Sequence, residues 1–439
     1  MSVSLGVEST AARDPILTKK RVQRAHFWIL FVVCGLYVVQ LWTPLRLTGD
    51  SIVLLSIASS AADGHGFLDH GQKTHYPVGY PAMVVCLERV GAARPWGLVG
   101  FNALFLFIGF ACAKAVARQY FELSNEWAVT TVLFTALSFA LVKHFTLPLT
   151  DIPFFGVSMV AIVLLVRAEK ESGMRYCLFW VAALTTSVLG ALVRPIAVAL
   201  FPSLAWSLGA HLGVGNILRQ NKRMILIIVG SAAVLCCAIS VLLLHTKYVQ
   251  EAVSVLAGQG LAHGARNILL YRVHEFGELS INAPASKLGK FSPLVWLVGA
   301  ITVVALVLCF RRCRPGIVEV YLAAYATILF LWPYGDTRFW TPVLPLIFAE
   351  LFSLLRPWTF TGWKKRASML YAAGYMLAGF AALAYSTRIT FSGRDFPYRY
   401  GDNHLRSTYE LFYSYPRVDR SIDGPALQIL QRYSGGKTP

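Results

Sequence analysis

The stretch "TGDSIVLLSIASSAADGHGF", residues 48–67, poses the problem the fold must solve. An acid, Asp50, follows a strongly apolar run by about eight residues. A segment of apolar residues and serines comes next, and the chain then breaks at Gly64-His65-Gly66. A lone carboxylate beside apolar sequence is costly unless it has a partner or a task.

The surroundings are those of a membrane protein. The chain has 439 residues, 56% hydrophobic and only 14% charged, with a mean hydropathy of +0.57. A water-soluble protein of this length needs more polar surface. Apolar runs of roughly 17 to 25 residues recur, the length that crosses about 30 Å of hydrocarbon. They are continuous rather than alternating, which excludes a β-barrel. The fold class expected is an all-α integral membrane protein with about eleven crossings. They fall near 25–42, 97–117, 125–142, 152–167, 176–193, 196–210, 223–244, 291–310, 317–333, 340–356 and 367–387. Residues 1–24 form a polar lead without a cleavage pattern, expected to be retained on the cytoplasmic side. Residues 25–387 form the membrane domain, and 388–439 an outer tail.

The net charge of +18 reflects topology rather than nucleic-acid binding. "TKKRVQR" (18–24), Lys114 with Arg118, "RAEKESGMR" (167–175), "RQNKR" (219–223), "RRCRP" (311–315) and "KKR" (364–366) all fall on one side of the expected membrane. That side is the cytoplasm, so Asp50 and Asp151 stand together on the opposite face. Residues 51–62 have the composition of a helix lying at the interface, with Ile52, Leu55 and Ala62 on its apolar face, ending where Gly64 and Gly66 supply a turn. Residues 80–92 are too short to span and are read as a second interfacial helix. Eight cysteines, at 34, 86, 112, 177, 236, 237, 309 and 313, form no pattern of a disulfide framework or a metal cluster.

Two carboxylates at a water–lipid boundary suit group transfer from a lipid-borne donor. One takes a proton from an acceptor hydroxyl; the other orients a group or holds a cation. A divalent cation stays optional on this reading. Asp151 also has a structural reading as a helix N-cap, with Pro153 in the first turn. Arg338, at a span mouth in "YGDTRFW", needs an anion, either a phosphate or the nearby Asp336. Arg194 precedes Pro195 at another span junction and either snorkels or reaches the same cavity.

These residues resemble the GT-C class of membrane glycosyltransferases, in the bacterial branch that groups with protein mannosyltransferases and the aminoarabinose transferases of lipid A. The resemblance rests on Asp50, "ASSAADGHGF" (58–67), "YPVGYP" (76–81), "TDIPF" (150–154) and "RFWTPVLP" (338–345), in that order. It implies a polyprenyl-phosphate sugar donor, a lipid, glycan or protein acceptor, and membrane lipids as surroundings. It also implies Asp50 as catalytic carboxylate, Asp151 as its partner and Arg338 at the lipid phosphate. Arg194, Lys73, His75, Tyr76 and Tyr80 become further candidates for substrate binding. The active site would face the exterior of the cytoplasmic membrane. The sequence departs from the pattern at Val78, where a second proline is usual, and at Ser51, where many members have a second acid. The tail of about fifty residues stands where some relatives have a large soluble domain.

Two other classes compete. A transporter or flippase needs acids buried mid-span, and the runs hold almost none. An enzyme that joins preassembled glycans would use a long outer loop with Arg and His, for which 245–290 is the candidate. That loop reads either as solvated or as a flexible cover, and the Tyr- and Arg-rich tail as a cap over the cavity.

Overall fold

The computed structural model describes residues 15–69, 71–74, 76–213, 253–258, 260–311, 315–355, 362–400, 405–413 and 421–435. Its first half runs α1 (Pro15–Val39), α2 (Gly49–Ala62), a minimal hairpin of β1 (Leu68–Asp69) and β2 (Gln72–Lys73), and α3 (Gly79–Arg89). Then come α4 (Pro95–Gln119), α5 (Asn125–Ala136), α6 (Phe139–Phe145), α7 (Asp151–Ala168), α8 (Gly173–Val193) and α9 (Leu200–His211). The second half holds long helices Leu261–Ile281, Pro293–Phe310, Ile317–Leu331, Leu344–Leu355 and Gly362–Thr390, and the tail adds Phe396–Arg399, Arg406–Phe412 and Gly424–Tyr433.

Among the described residues, seven helices are long and apolar enough to cross a membrane, and α5 with α6 makes an eighth span bent by 57°. This is a multi-pass helical bundle. Ten of the eleven expected crossings coincide with helices, but Pro195–His211 and Ile317–Leu331 are shorter than a full crossing. The eleventh, 223–244, lies outside the described residues.

α7 is the central column, its side chains buried on nearly every side. It packs tightly against α4 and α8. At Gly156 a Cβ would stand 2.6 Å from the Phe105 carbonyl oxygen, so only glycine lets these two helices approach so closely. The break in the α5–α6 span frees backbone groups that hydrocarbon cannot satisfy. Asn282 satisfies them. Its Oδ1 accepts from Phe139 N at 2.7 Å, and its Nδ2 donates to the carbonyls of Leu137 (2.9 Å) and Tyr375 (2.8 Å).

Two expectations change here. The segment after Asp50 is the helix foreseen, but it does not lie free on a surface. Ile52, Leu54, Leu55, Ile57 and Ala58 are all buried, while Ala62 is only half-buried, because α3 covers one flank and the tail helix Gly424–Tyr433 another. Nor is 245–290 a loop throughout. Leu261–Ile281 is a helix packed along Pro293–Phe310, with Arg272 and Glu275 fully buried beneath the 3-10 segment Thr337–Val343.

Candidate active site

The site begins with the cap of α2. Thr48 is its N-cap, and a reciprocal pair of bonds with Ser51 fixes the first turn: Ser51 Oγ accepts from Thr48 N at 2.7 Å while Thr48 Oγ1 accepts from Ser51 N at 3.4 Å. Asp50 is thereby held in that turn with its carboxylate turned outward and about half exposed (47%). The connecting segment 43–48 is anchored by Arg46. Its guanidinium donates to Thr43 Oγ1, to Ser386 Oγ and carbonyl, and to Thr390 Oγ1, at 2.9–3.0 Å. Burial pulls its pKa down to about 10, so it stays charged at neutral pH.

Arg338 meets Asp50. Its Nη2 lies 2.5 Å from Asp50 Oδ2 and its Nε 3.2 Å from Asp336 Oδ2. Of the two partners expected for it, a phosphate or Asp336, the acid is adjacent, and Asp50 joins it as a second carboxylate. Asp336 also accepts from Arg338 N at 3.0 Å, capping the 3-10 segment that carries the arginine.

Asp151 pairs with Arg194 through Oδ1 and Nη1. It is buried (side chain 3% exposed), and so is most of Arg194 (11%). The N-cap reading of Asp151 does not hold. Thr150 is the cap position and Asp151 is the first helical residue, its carboxylate directed to the arginine instead. The arginine wins because a buried guanidinium and carboxylate each lose more by standing alone than a helix end gains from one cap.

One ring joins the two pairs. The guanidinium carbons of Arg194 and Arg338 lie 5.5 and 5.3 Å from the centre of Phe339. Tyr325 holds that residue from below, donating its hydroxyl to the Phe339 carbonyl at 2.5 Å. The four charged candidates therefore form one constellation, with Asp50 at its open edge and Asp151 at its buried one.

The other candidates scatter. Lys73 is exposed on β2. Tyr76 is half-buried against the α2–α3 cluster. Tyr80 is a core residue, 1% exposed, which removes it from any open surface of the site. His75 lies outside the described residues. The "YPVGYP" element acts through Gly79 instead. A Cβ there would stand 2.5 Å from the Leu192 carbonyl oxygen, so this glycine lets α3 dock on the end of α8, two residues before Arg194.

Several contributors carried no sequence signal. Asn102, buried in α4, donates from Nδ2 to the carbonyls of Phe145 and Leu147, both at 2.8 Å, and so fixes the turn that leads to Asp151. Glu275 accepts from Trp340 Nε1 at 2.7 Å and pairs with Arg272 at 2.8 Å; Arg272 also donates to the Tyr334 carbonyl at 2.5 Å. The tail is tied to the connecting segment before Asp50. Tyr409 Oη accepts from Leu47 N at 2.9 Å and donates to the Leu45 carbonyl at 3.2 Å, while Tyr400 donates to the Leu47 carbonyl at 3.0 Å.

Among the described residues, no group of three or more His, Cys, Asp or Glu side chains is placed to hold a metal ion. Asp50 and Asp336 both direct oxygens at the Arg338 guanidinium, which fills the place between them where a cation would sit. The residues do not fit a divalent cation.

The fold is one already seen in solved structures. The chain matches the crystal structure of ArnT from Cupriavidus metallidurans bound to undecaprenyl phosphate, with a TM-score of 0.51, 14% identity, and cover of 93% of this chain and 85% of that one. The apo form of the same protein matches with a TM-score of 0.52 and 13% identity over the same shares. This chain has the ArnT fold. No family model and no curated protein sequence matches it. The ArnT-like architecture is the one that the motif order implied, although at this identity the likeness concerns fold alone.

Proposed function

We propose that this protein is a membrane glycosyltransferase that moves a sugar from a polyprenyl-phosphate donor to a cell-envelope acceptor on the outer face of the cytoplasmic membrane. The observation that carries the reading is the pair of acid–arginine couples joined across Phe339, with one carboxylate, that of Asp50, open to an incoming group. Its order along the chain follows the glycosyltransferase motifs, and ArnT, which shares the fold, binds undecaprenyl phosphate. An apolar groove of about 430 Å³ adds support. It is lined by Val303, Val307, Arg311, Phe330, Trp340 and Val343, of which Trp340 and Val343 stand on the 3-10 segment that carries Arg338.

The chemistry is a single displacement. Asp50 accepts the proton of the acceptor hydroxyl as its oxygen attacks the anomeric carbon. The bond from that carbon to the phosphate oxygen breaks, and the lipid phosphate departs with the electron pair. Cations placed where this negative charge develops lower the barrier. Asp151, closed off from solvent, holds Arg194 rather than touching the sugar.

The test is an analysis of cell-envelope glycans and lipid A in a deletion strain, complemented by wild type or by Asp50→Asn. The reading expects one sugar to be lost on deletion, regained with wild type and not with Asp50→Asn. Full recovery with the mutant removes Asp50 as the base. An unchanged envelope in the deletion strain removes the transferase reading.

A further inference from the structure

The 3-10 segment Thr337–Val343 carries Arg338 and needs a fixed seat, because a misplacement of about 1 Å in a site can cost about a hundredfold in rate. One face of the helix Leu261–Ile281 grips this segment and the residues just before it. Arg272 Nη2 donates to the Tyr334 carbonyl at 2.5 Å. A Cβ at Gly335 would stand 3.0 Å from Tyr271 Cγ, so the backbone there lies against that ring. Trp340 Nε1 donates to Glu275 Oε2 at 2.7 Å, and the ring centres of Phe276 and Trp340 are 4.4 Å apart. Arg338 stands between these anchors, four positions after Tyr334 and two before Trp340. One oxygen links them, since Glu275 Oε2 also accepts from Arg272 Nη1 at 2.8 Å.

As a stabiliser this pair is a poor choice. Both side chains are buried, and Arg272 Nε and Glu275 Oε1 find no hydrogen-bond partner among the described residues. Desolvating two such charges offsets most of their attraction, and apolar residues of similar volume often serve stability as well or better. What apolar packing lacks is direction, which charged hydrogen bonds supply. We propose that Arg272 and Glu275 are positioning residues that set the place of Arg338, through the backbone at Tyr334 and the indole of Trp340, a role that rests on the glycosyltransferase reading. Shut away from solvent, they act on the reaction only through that arginine.

The experiment uses the full-length protein in lipid vesicles, supplied with lipid extract of its native membrane, and follows release of undecaprenyl phosphate by mass spectrometry. A single substitution would strand a buried charge, so the variants are doubles. Arg272→Met with Glu275→Leu removes both anchors. Arg272→Met with Glu275→Gln restores an acceptor for the Trp340 N–H. The first double should unfold within about 5 °C of wild type. Its kcat should fall about fivefold or more, with KM within about twofold. The second should recover to within about twofold of wild type. Added to Arg338→Ala, the first double should cost less than about twofold more, because the residue it acts through is gone. A kcat equal to that of wild type in the first double overturns the assignment and leaves the transferase reading intact. So does a fall in kcat matched by a collapse in unfolding temperature, or an undiminished further loss in the Arg338→Ala background. If wild type releases no undecaprenyl phosphate, the transferase reading falls and this proposal with it.

Discussion

Asp50 and Arg338 meet at 2.5 Å across 288 positions of sequence, the acid on a helix near the N-terminus and the arginine on a 3-10 segment near the other end. The arginine is shared with Asp336, so it is braced from two sides before any substrate arrives. That bracing makes a first prediction. Arg338→Lys keeps the charge but cannot span two carboxylates in a planar fork, so it should lose roughly tenfold or more in kcat/KM for the lipid donor. Arg338→Ala should lose more, with the protein still folded. Steady-state kinetics with a lipid-linked donor would show it, and unchanged kinetics in both variants would remove Arg338 from the site.

The pair Asp151–Arg194 should behave as a buried couple. Removing either partner leaves a stranded charge, so Asp151→Asn or Arg194→Gln alone should destabilise by about 3–5 kcal/mol. The double variant should be less damaged than the sum of the two. Thermal unfolding of the purified protein in detergent checks this. Additive losses would mean that the two groups do not depend on each other.

The tail should matter to α2. Arg432 donates to both oxygens of Asp63 at 2.8 Å and to Glu88 at 2.6 and 2.9 Å, fastening Gly424–Tyr433 to the end of α2 and to α3. These groups are partly exposed, so Arg432→Ala should cost only about 1 kcal/mol. Tyr409→Phe, which breaks the buried link to Leu45 and Leu47, should lower kcat more than it raises KM, because it loosens the segment that leads to Asp50. A kcat equal to that of wild type would limit Tyr409 to packing.

Acid should loosen the same latch. The hydrogen bonds from Arg432 hold the Asp63 carboxyl below its usual pKa. A depressed carboxylate contributes stability above its unfolded pKa of about 3.9, and that contribution is lost as pH falls through the folded value. Proteolysis at the 421–435 segment should therefore rise below about pH 4 in wild type, while Asp63→Asn should show high cleavage without that dependence. A flat profile in wild type would rule the latch out.

The charged half of the site was legible because an acid or arginine beside an apolar run is conspicuous whatever it pairs with. Asp50, Asp151, Arg194 and Arg338 all carried that mark. Their pairing was not, since partners lie 43 and 288 positions apart and nothing local encodes such contacts. Phe339 and Asn102 act through a ring face and an amide, which look like ordinary core and span residues in sequence. The helix after Asp50 was recognisable, but its apolar residues lie on several sides, and the packing of both α3 and the tail helix on it explains why. Tyr80 shows the opposite error: it shares a motif with half-buried residues, yet burial assigns it to the core.

The most direct measurement is release of polyprenyl phosphate from a polyprenyl-phosphate sugar by the purified protein in lipid vesicles, followed by mass spectrometry, for wild type and Asp50→Asn. The account predicts release by wild type, coupled to sugar gained by an acceptor, and a fall of at least about a hundredfold in the mutant. Equal release by both proteins would contradict it.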